Sequence, residues 1–521
     1  MMNGFPILTL LTALPAGCAV LILLFERSPR RARFSALTIS FVVLFYVCVI
    51  WHLFNSTSAA YQLQELHPWI PALNVDYHLG IDGIGLLMLL LTALVTPIGI
   101  AASWNNPRIQ FRAPLYFALV LLLESCIIGS FTALNFFHWF LYWELSLIPA
   151  FFLIRLWGGP RRARASTQFF VYTMLGSVTL LLSFLAIFLS AHTWDFAQLS
   201  TLAQSGQLMP MVTARLAWAR FTPHHLALLL FLGAFLGFAV KVPLIPFHTW
   251  LPDAYAEAPT GTTILLTGAM SKMGIYGFLR ILVPIFGAEM HTLLKPLLIL
   301  AVASIVLSAY SALAQKDLKR IFAYSSINHL GYCLLAIFAL VADNPDATQK
   351  YAALSGALLQ TLNHALTAAV VFWFIALLEQ RVARRNGGPV TLSDFGGLRR
   401  IAPVFAGLMG IALFSSLGLP GLNGFPGEFL IFKGAFPLAP RASSIATLGL
   451  LLTAIFILTV IQRVFTGPLN PERSTFPDLT RGERIALAPA IALMFLLGLY
   501  PQLILAAVNP TVVAYVQHLK F

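Results

Sequence analysis

The chain has 521 residues, of which 59% are hydrophobic and only 10% are charged, and its mean hydropathy is +0.84. Soluble domains hold about 45–50% apolar residues, so this composition excludes a soluble globular protein. The formal net charge is +13, but the basic residues stand in short clusters between apolar segments, which excludes a nucleic-acid-binding face. The four cysteines have no ligand-type spacing and indicate neither a disulfide framework nor a metal centre.

Apolar segments of about 20 residues, the length of one membrane crossing, recur along the whole sequence. In chain order they occupy 4–25, 34–54, 81–103, 112–134, 136–157, 167–190, 224–245, 260–282, 289–310, 320–341, 352–379, 402–436, 444–466 and 485–507. We number these segments as spans 1 to 14. The sequence therefore predicts an all-α polytopic membrane protein with fourteen transmembrane helices, forming one integral membrane unit over residues 1–521.

Basic residues are distributed unequally between the two ends of the spans. Twenty-two of the 32 Lys and Arg residues lie in or beside the loops after odd-numbered spans, and eight lie at the opposite ends. We call the first side the basic face; its residues fall within 27–33, 108–112, 155–164, 316–320, 381–400 and 463–484. Because basic loops favour the cytoplasm, we expect a multi-pass membrane protein with both termini on the outer face.

Two spans carry helix-breaking residues in their middle. In span 7, Pro243 and Pro246 follow Lys241 in the sequence KVPLIP and remove two backbone donors. In span 12, glycines and prolines from Gly418 to Gly427 predict a second interruption. Interrupted helices in corresponding places are typical of inverted repeats, and we predict a first five-helix repeat over 112–282 and a second over 289–466.

Seven ionisable residues are predicted at membrane depth. A charge there costs about 2.5–3.5 kcal/mol on insertion scales, so such residues usually have a function. We predict that they form a lateral proton-conducting line, with Glu144 paired to Lys241 and Glu124 as an accessory member; the line comprises Glu144, Lys241, Lys272, His329, His364 and Glu428. The alternative for Glu144 and Lys241 is a static ion pair that fixes helix packing.

Two features outside this line also receive expectations. Lys319 and Arg320, at the start of span 10, are interpreted as ordinary anchors at the membrane boundary. Residues 55–80 contain LHPWIPAL, whose proline and tryptophan favour a segment lying at the membrane interface.

Several of these segments resemble a known family. The stretches WELSLIPAFFLI, KVPLIPFHTWLPDAYAEAPT, DLKRIFAYSSINHLGY and GLPGLNGFPGEFLI are similar to the antiporter-like membrane subunits of respiratory complex I, the NADH:quinone oxidoreductase. The similarity extends from about Asp82 to Phe465. It implies a proton-pumping subunit with two inverted five-helix repeats, coupled to quinone reduction elsewhere in the complex. Matched by position, the residues of the line correspond to those that carry protons in that family.

The resemblance also has consequences for type, partners and cofactors. Glu428 stands where L-type and N-type chains have lysine, which favours an M-type chain placed between those two partners. NADH, FMN, iron–sulfur centres and quinone are expected in partner subunits and no cofactor in this chain, because it has no glycine-rich phosphate loop and no cysteine ligand set. A subunit of a sodium/proton antiporter or of a membrane-bound hydrogenase complex remains the alternative, since the same buried charges would serve it.

Overall fold

The protein is described here from a computed structural model that covers residues 6–216, 221–382 and 388–519. Nearly all of its ordered structure is helical. The helices of the first seven spans are Ile7–Phe25, Pro29–Leu53, Gly83–Ala102, Ala113–Thr132, Phe136–Leu145 with Leu147–Trp157, Arg162–Ala191, and Pro223–Lys241 with Trp250–Glu257. Those of spans 8 to 14 are Thr260–Leu265 continuing through to Thr292, Leu294–Leu313, Leu318–Ala339, Ala347–Val382, Pro403–Ser416 with Gly424–Leu438, Pro440–Phe465, and Arg481–Leu499 with Gln502–Gln517.

The predicted all-α membrane fold is confirmed. Among the described residues, thirteen helical stretches are long and apolar enough to cross a membrane. The remaining predicted span is span 12, whose two helices are each too short to cross alone. Four basic residues used in the orientation argument, Arg220, Arg384, Arg385 and Lys520, lie outside the described residues.

The connections are more ordered than the sequence suggests. Residues 55–80 do not simply lie along the interface: strands β1 (Gln62–Ile70) and β2 (Val75–Ile81) form an antiparallel hairpin. The hairpin is tied to span 1, since the Glu65 carboxylate accepts a hydrogen bond of 2.6 Å from the backbone N–H of Leu8. Short helices Phe196–Gln204 and Leu208–Arg215 fill most of the connection between spans 6 and 7.

The interruption of span 12 is shorter than predicted. Only residues 417–423 leave the helical path, with Gly418 and Gly421 at φ values of +80° and +93° that favour glycine. Pro426 and Gly427 lie inside the second helix, which begins at Gly424. Proline is tolerated in a first helical turn because the N–H it lacks would have no partner there.

Span 14 differs from its predicted bounds. The first helix stops at Leu499, Pro501 follows, and a second helix runs on to Gln517 rather than ending at residue 507. The break lies beside the interruption of span 12, because a side chain at Gly498 would meet the Gly421 carbonyl at 2.5 Å. The second helix returns to span 3, where the Gly83 N–H donates to the Thr511 hydroxyl at 3.0 Å.

Small residues bring spans 11 and 12 unusually close. A Cβ atom on Gly427 would lie 2.9 Å from the backbone nitrogen of Gln360, and one on Gly356 would lie 2.4 Å from that of Ile431. Glycine at both contacts lets the two backbones meet, the usual device for tight helix packing in membranes. This packing fixes the depth of Glu428, the residue that follows Gly427.

A buried ion pair closes the face opposite the basic face. The Arg280 guanidinium contacts the Asp82 carboxylate at 2.5 Å, and both residues are less than 10% exposed. Arg280 also donates to the Tyr61 hydroxyl at 2.8 Å and the Tyr276 hydroxyl at 3.2 Å. The pair joins spans 3 and 8 to the segment that precedes the hairpin.

Candidate functional site

Lys241 lies where the first helix of span 7 ends. Pro243 and Pro246 follow it, and the chain resumes a helix only at Trp250. The lysine is 2% exposed; its Nζ donates to the Ser146 hydroxyl at 3.3 Å and lies 4.5 Å from the centre of the Trp143 ring. An aromatic face and a hydroxyl oxygen both stabilise the lysine in its charged form.

Glu144 is near Lys241 but does not form a contact ion pair with it. The Lys241 ammonium instead contacts Ser146 and Trp143, which lie close to Glu144 in sequence. Glu144 is half-buried, and its Oε1 has no hydrogen-bond partner among the described residues. The helix of span 5 is interrupted directly after it, between Leu145 and Leu147. The Glu144 carboxylate and the Lys241 ammonium are therefore not in direct contact. A bridging water or a change of side-chain conformation would be needed to connect them.

Lys272 is fully buried and contacts His364 of span 11. Its Nζ lies 2.7 Å from His364 Nδ1 and also donates to the backbone carbonyl of Thr267. That carbonyl is available because residues Leu266–Met270 form a π-helical turn, with a second one at Phe278–Leu282. Such turns are frequent at functional sites since they leave carbonyls free for side chains.

His329 and Glu428 form a direct pair. The Nδ1 atom of His329 lies 3.0 Å from Glu428 Oε1, and both side chains are buried. Gln360 steadies the pair, because its Nε2 lies 3.1 Å from the same carboxylate oxygen. The rings of His329 and His364 are 5.2 Å apart between centroids. Lys272, His364, His329 and Glu428 are therefore connected side by side across spans 8, 11, 10 and 12.

The two halves of the predicted line meet at Gly274. A Cβ atom on this glycine would lie 2.4 Å from Val242 Cγ2 and 3.4 Å from Lys241 Cβ. Gly274 is two residues after Lys272 in the same helix. Lys241 thus packs against the helix that carries Lys272, although no side-chain hydrogen bond joins the two lysines among the described residues.

Glu124 stands apart from these contacts. It is fully buried in span 4, and neither carboxylate oxygen has a hydrogen-bond partner among the described residues. A buried carboxylate without partners is costly, and protonation removes the charge. The surroundings of Glu124 therefore favour a neutral carboxylic acid, and Glu124 does not contact the series Lys272, His364, His329 and Glu428.

A charged cleft opens on the basic face. It has a volume of about 870 Å³ and is lined by Arg108, Glu257, Lys319 and Glu379 among others. Lys319 is 6% exposed; its Nζ donates to the Ala258 carbonyl at 2.6 Å and lies 3.6 Å from Glu379. The ammonium of Lys319 thus joins the end of span 7 to spans 10 and 11, and its expected role as an anchor at the membrane boundary stays a prediction.

Sequence reasoning missed several polar members of the site. Gln360 precedes His364 by four residues, a spacing that places both on one helix face and that could have identified it. The π-helical turns beside Lys272 have no comparable signal in the sequence. Arg280 is one of the eight basic residues assigned to the ends opposite the basic face, and its buried ion pair with Asp82 was not predicted from the sequence.

Comparisons with known proteins identify the family of the chain. The family described as NADH:quinone oxidoreductase/Mrp antiporter, TM, matches residues 133–457. The chain is 35% identical over 512 residues to NADH-quinone oxidoreductase subunit M of Rickettsia felis, covering 97% of each chain. It is 32% identical to subunit M of Mycobacterium tuberculosis, covering 98% of this chain and 94% of that relative.

Solved structures give the same answer for the fold. A chain of respiratory complex I from Thermus thermophilus with bound NADH superposes with a TM-score of 0.83 at 26% identity, over 99% of this chain and 100% of that one. A chain of the Mrp complex from Dietzia superposes with a TM-score of 0.78 at 22% identity, over 98% of each chain. The resemblance inferred from sequence is confirmed, and the chain belongs to the NADH:quinone oxidoreductase/Mrp antiporter family of membrane subunits, with subunit M of NADH-quinone oxidoreductase among its full-length relatives.

Proposed function

We propose that this chain moves protons across a bacterial inner membrane as the M-type subunit of a proton-translocating NADH:quinone oxidoreductase. The observation that carries the proposal is the contact series Lys272, His364, His329 and Glu428, with ring or atom separations of 2.7, 5.2 and 3.0 Å. Buried lysine, histidine and carboxylate groups in contact can pass a proton without leaving an isolated charge in the membrane.

Glu144 and Lys241 form the other part of the proposed path. Both adjoin an interrupted helix, and Ser146 is hydrogen-bonded to Lys241 at 3.3 Å. A small movement of either side chain would bring the carboxylate and the ammonium together or apart, which changes how readily each holds its proton. Protons would reach the path through the charged cleft at the basic face. Glu124, which lies apart from the connected residues, is included only as an accessory member.

The arrangement within the membrane follows from the same reasoning. The two repeats, 112–282 and 289–466, each contain one of the interrupted spans 7 and 12. The excess of basic residues favours both termini on the periplasmic face. L-type and N-type chains are the expected neighbours, and redox cofactors and quinone belong to other subunits.

Proton uptake by inverted membrane vesicles from cells with Lys241→Ala tests the proposal. The assembled complex is quantified in parallel, and NADH oxidation and proton uptake are measured with and without sodium. We expect assembly to persist while both rates fall together. Normal NADH-driven rates in vesicles with assembled complex, accompanied by loss of sodium-dependent proton exchange, would instead assign the chain to a cation/proton antiporter.

A further inference from the structure

A small internal cavity lies beside the two central histidines. It leaves about 20 Å³ for the centre of a water molecule, more than the roughly 10–15 Å³ that one water requires. Its polar lining includes His329, His364, Asn363, Thr367 and Ser415. Cavities of this size with several polar partners hold ordered water, whereas apolar cavities stay dry.

The cavity extends from the histidines toward the basic face. Span 10 runs from the basic face at Leu318, and Ser326, which lines the cavity, precedes His329 by less than one turn. Span 11 runs in the opposite direction, and Val371, which also lines the cavity, follows His364 by about two turns. The cavity therefore lies to one side of the contact series Lys272, His364, His329 and Glu428, toward the basic face.

Asn363 provides an independent sign of a bound ligand. Its side chain is 0% exposed, and neither Oδ1 nor Nδ2 has a hydrogen-bond partner among the described residues. An unpaired buried polar group is destabilising, because it gives up its hydrogen bonds to water without replacing them. In contrast, the buried Asn328 is bonded to protein on both sides, donating to the Ile305 carbonyl at 2.9 Å and accepting from Thr453 at 3.3 Å.

Paired hydroxyls border the same region. Ser326 Oγ lies 3.0 Å from Thr267 Oγ1, and Thr367 Oγ1 lies 3.1 Å from Ser415 Oγ. The backbone carbonyl of Thr267 also accepts a hydrogen bond from Lys272. A water in the cavity would thus have hydroxyl groups on the side of the basic face and imidazole groups on the other.

We propose that Asn363 holds an ordered water in this cavity, and that the water links the His329 and His364 rings to the Ser326 hydroxyl, and through it to Thr267, as a side branch of the proton path. The inference rests on the proposed proton-transfer function and gives Asn363 the part of a positioning residue. Each step moves one proton between the water and an adjacent nitrogen or oxygen, so the water is regenerated and no other reactant is needed.

Three variants of the whole complex test this branch. Asn363→Leu fills the site without polar atoms, and Asn363→Ser keeps a hydroxyl that can hold the water. Asn328→Leu is the matched control, a buried asparagine on the adjacent span whose partners are protein groups. Proton uptake per assembled complex is measured in inverted vesicles, and the water is sought in a density map of the unaltered complex at a resolution that shows ordered waters.

We expect water density within hydrogen-bond distance of the Asn363 amide, proton uptake reduced by roughly tenfold in Asn363→Leu, and uptake near normal in Asn363→Ser and Asn328→Leu. An empty cavity in the map would overturn the inference, and so would normal uptake in Asn363→Leu while Lys272→Ala loses uptake. Normal uptake in Lys272→Ala as well would count against the proposed function itself. If Asn363→Leu does not assemble, the density map and Asn363→Ser decide.

Discussion

Lys272 Nζ and His364 Nδ1 lie 2.7 Å apart, although the residues are separated by 92 positions in the chain. The contact joins span 8, from the first predicted repeat, to span 11, from the second. Lys272 and His364 cannot both be positively charged in this contact, because two cations at this distance in a buried site would repel strongly. A proton placed on one member therefore favours its release by the other.

Replacing His364 by glutamine separates hydrogen bonding from proton transfer. The amide can still accept a hydrogen bond from Lys272, so we expect the complex to assemble, but it cannot carry a proton at physiological pH. Proton uptake in His364→Gln should fall by at least about tenfold, within the usual range for loss of a proton-transfer group. His52→Gln, at an exposed histidine, is the control; equal uptake in both variants would argue against a role for His364.

The packing of spans 11 and 12 predicts a sharp difference between two glycine substitutions. A methyl group at Gly427 would lie 2.6 Å from Gln360 Oε1, whereas one at Gly407, in the first helix of span 12, meets nothing within 4 Å. Gly427→Ala should destabilise the protein by about 1–3 kcal/mol, and Gly407→Ala should be neutral or slightly stabilising. Thermal unfolding of the purified complex measures both. Similar midpoints would contradict the close approach of the two helices.

The buried Arg280–Asp82 pair predicts a non-additive double substitution. Arg280→Ala leaves a carboxylate buried without its partner, which typically costs about 3–5 kcal/mol. Arg280→Ala combined with Asp82→Ala should therefore be less destabilising than Arg280→Ala alone. The midpoints of detergent-solubilised complexes provide the comparison, and a double variant that shows the sum of both losses would mean that the two side chains act independently.

Asp478 predicts an acid-sensitive helix cap outside the membrane. Partial burial acts to raise the pKa of Asp478, but the backbone N–H groups of Leu479, Phe405 and Val404 outweigh this and hold the pKa below 3.8. A lowered pKa means that the carboxylate stabilises the fold fully above pH 3.8 and loses this contribution as the pH falls through the folded-state value. Asp478→Ala should cost about 1 kcal/mol at pH 7.

The same substitution has a diagnostic pH profile. Between pH 5 and 8 the difference in unfolding midpoint between Asp478→Ala and the unaltered protein should be constant, because the carboxylate is ionised throughout in both states. A difference that shrinks as the pH falls from 8 to 5 would show that another group supplies the effect.

Sequence reasoning located the membrane-buried ionisable residues well, for a physical reason. A charged residue within an apolar span is easily recognised in a sequence. The prolines after Lys241 lack a backbone N–H whatever the tertiary structure is. The break in span 7 and the burial of Lys272, His329, His364 and Glu428 accordingly agree with expectation. These features depend on local composition alone.

What the sequence did not reveal depends on contacts between spans. The position of Ser146 against Lys241, in place of Glu144, follows from the rotation of two helices that are far apart in the chain. The predicted span 14 ends at residue 507, just before the polar Asn509 and the helix-breaking Pro510, whereas the helix continues to Gln517 and packs against span 3 through Thr511. The sequence does not distinguish Asn363 from other polar residues near a histidine, because the cavity beside it is formed by several spans.

The most direct test of the account is proton uptake in inverted membrane vesicles that contain Lys272→Ala, normalised to assembled complex. Lys272 contacts His364 from span 8, so its removal interrupts the series that ends at Glu428. The account predicts an assembled complex in which proton uptake and NADH oxidation fall together by at least about tenfold. Assembled complex with normal proton uptake would contradict it.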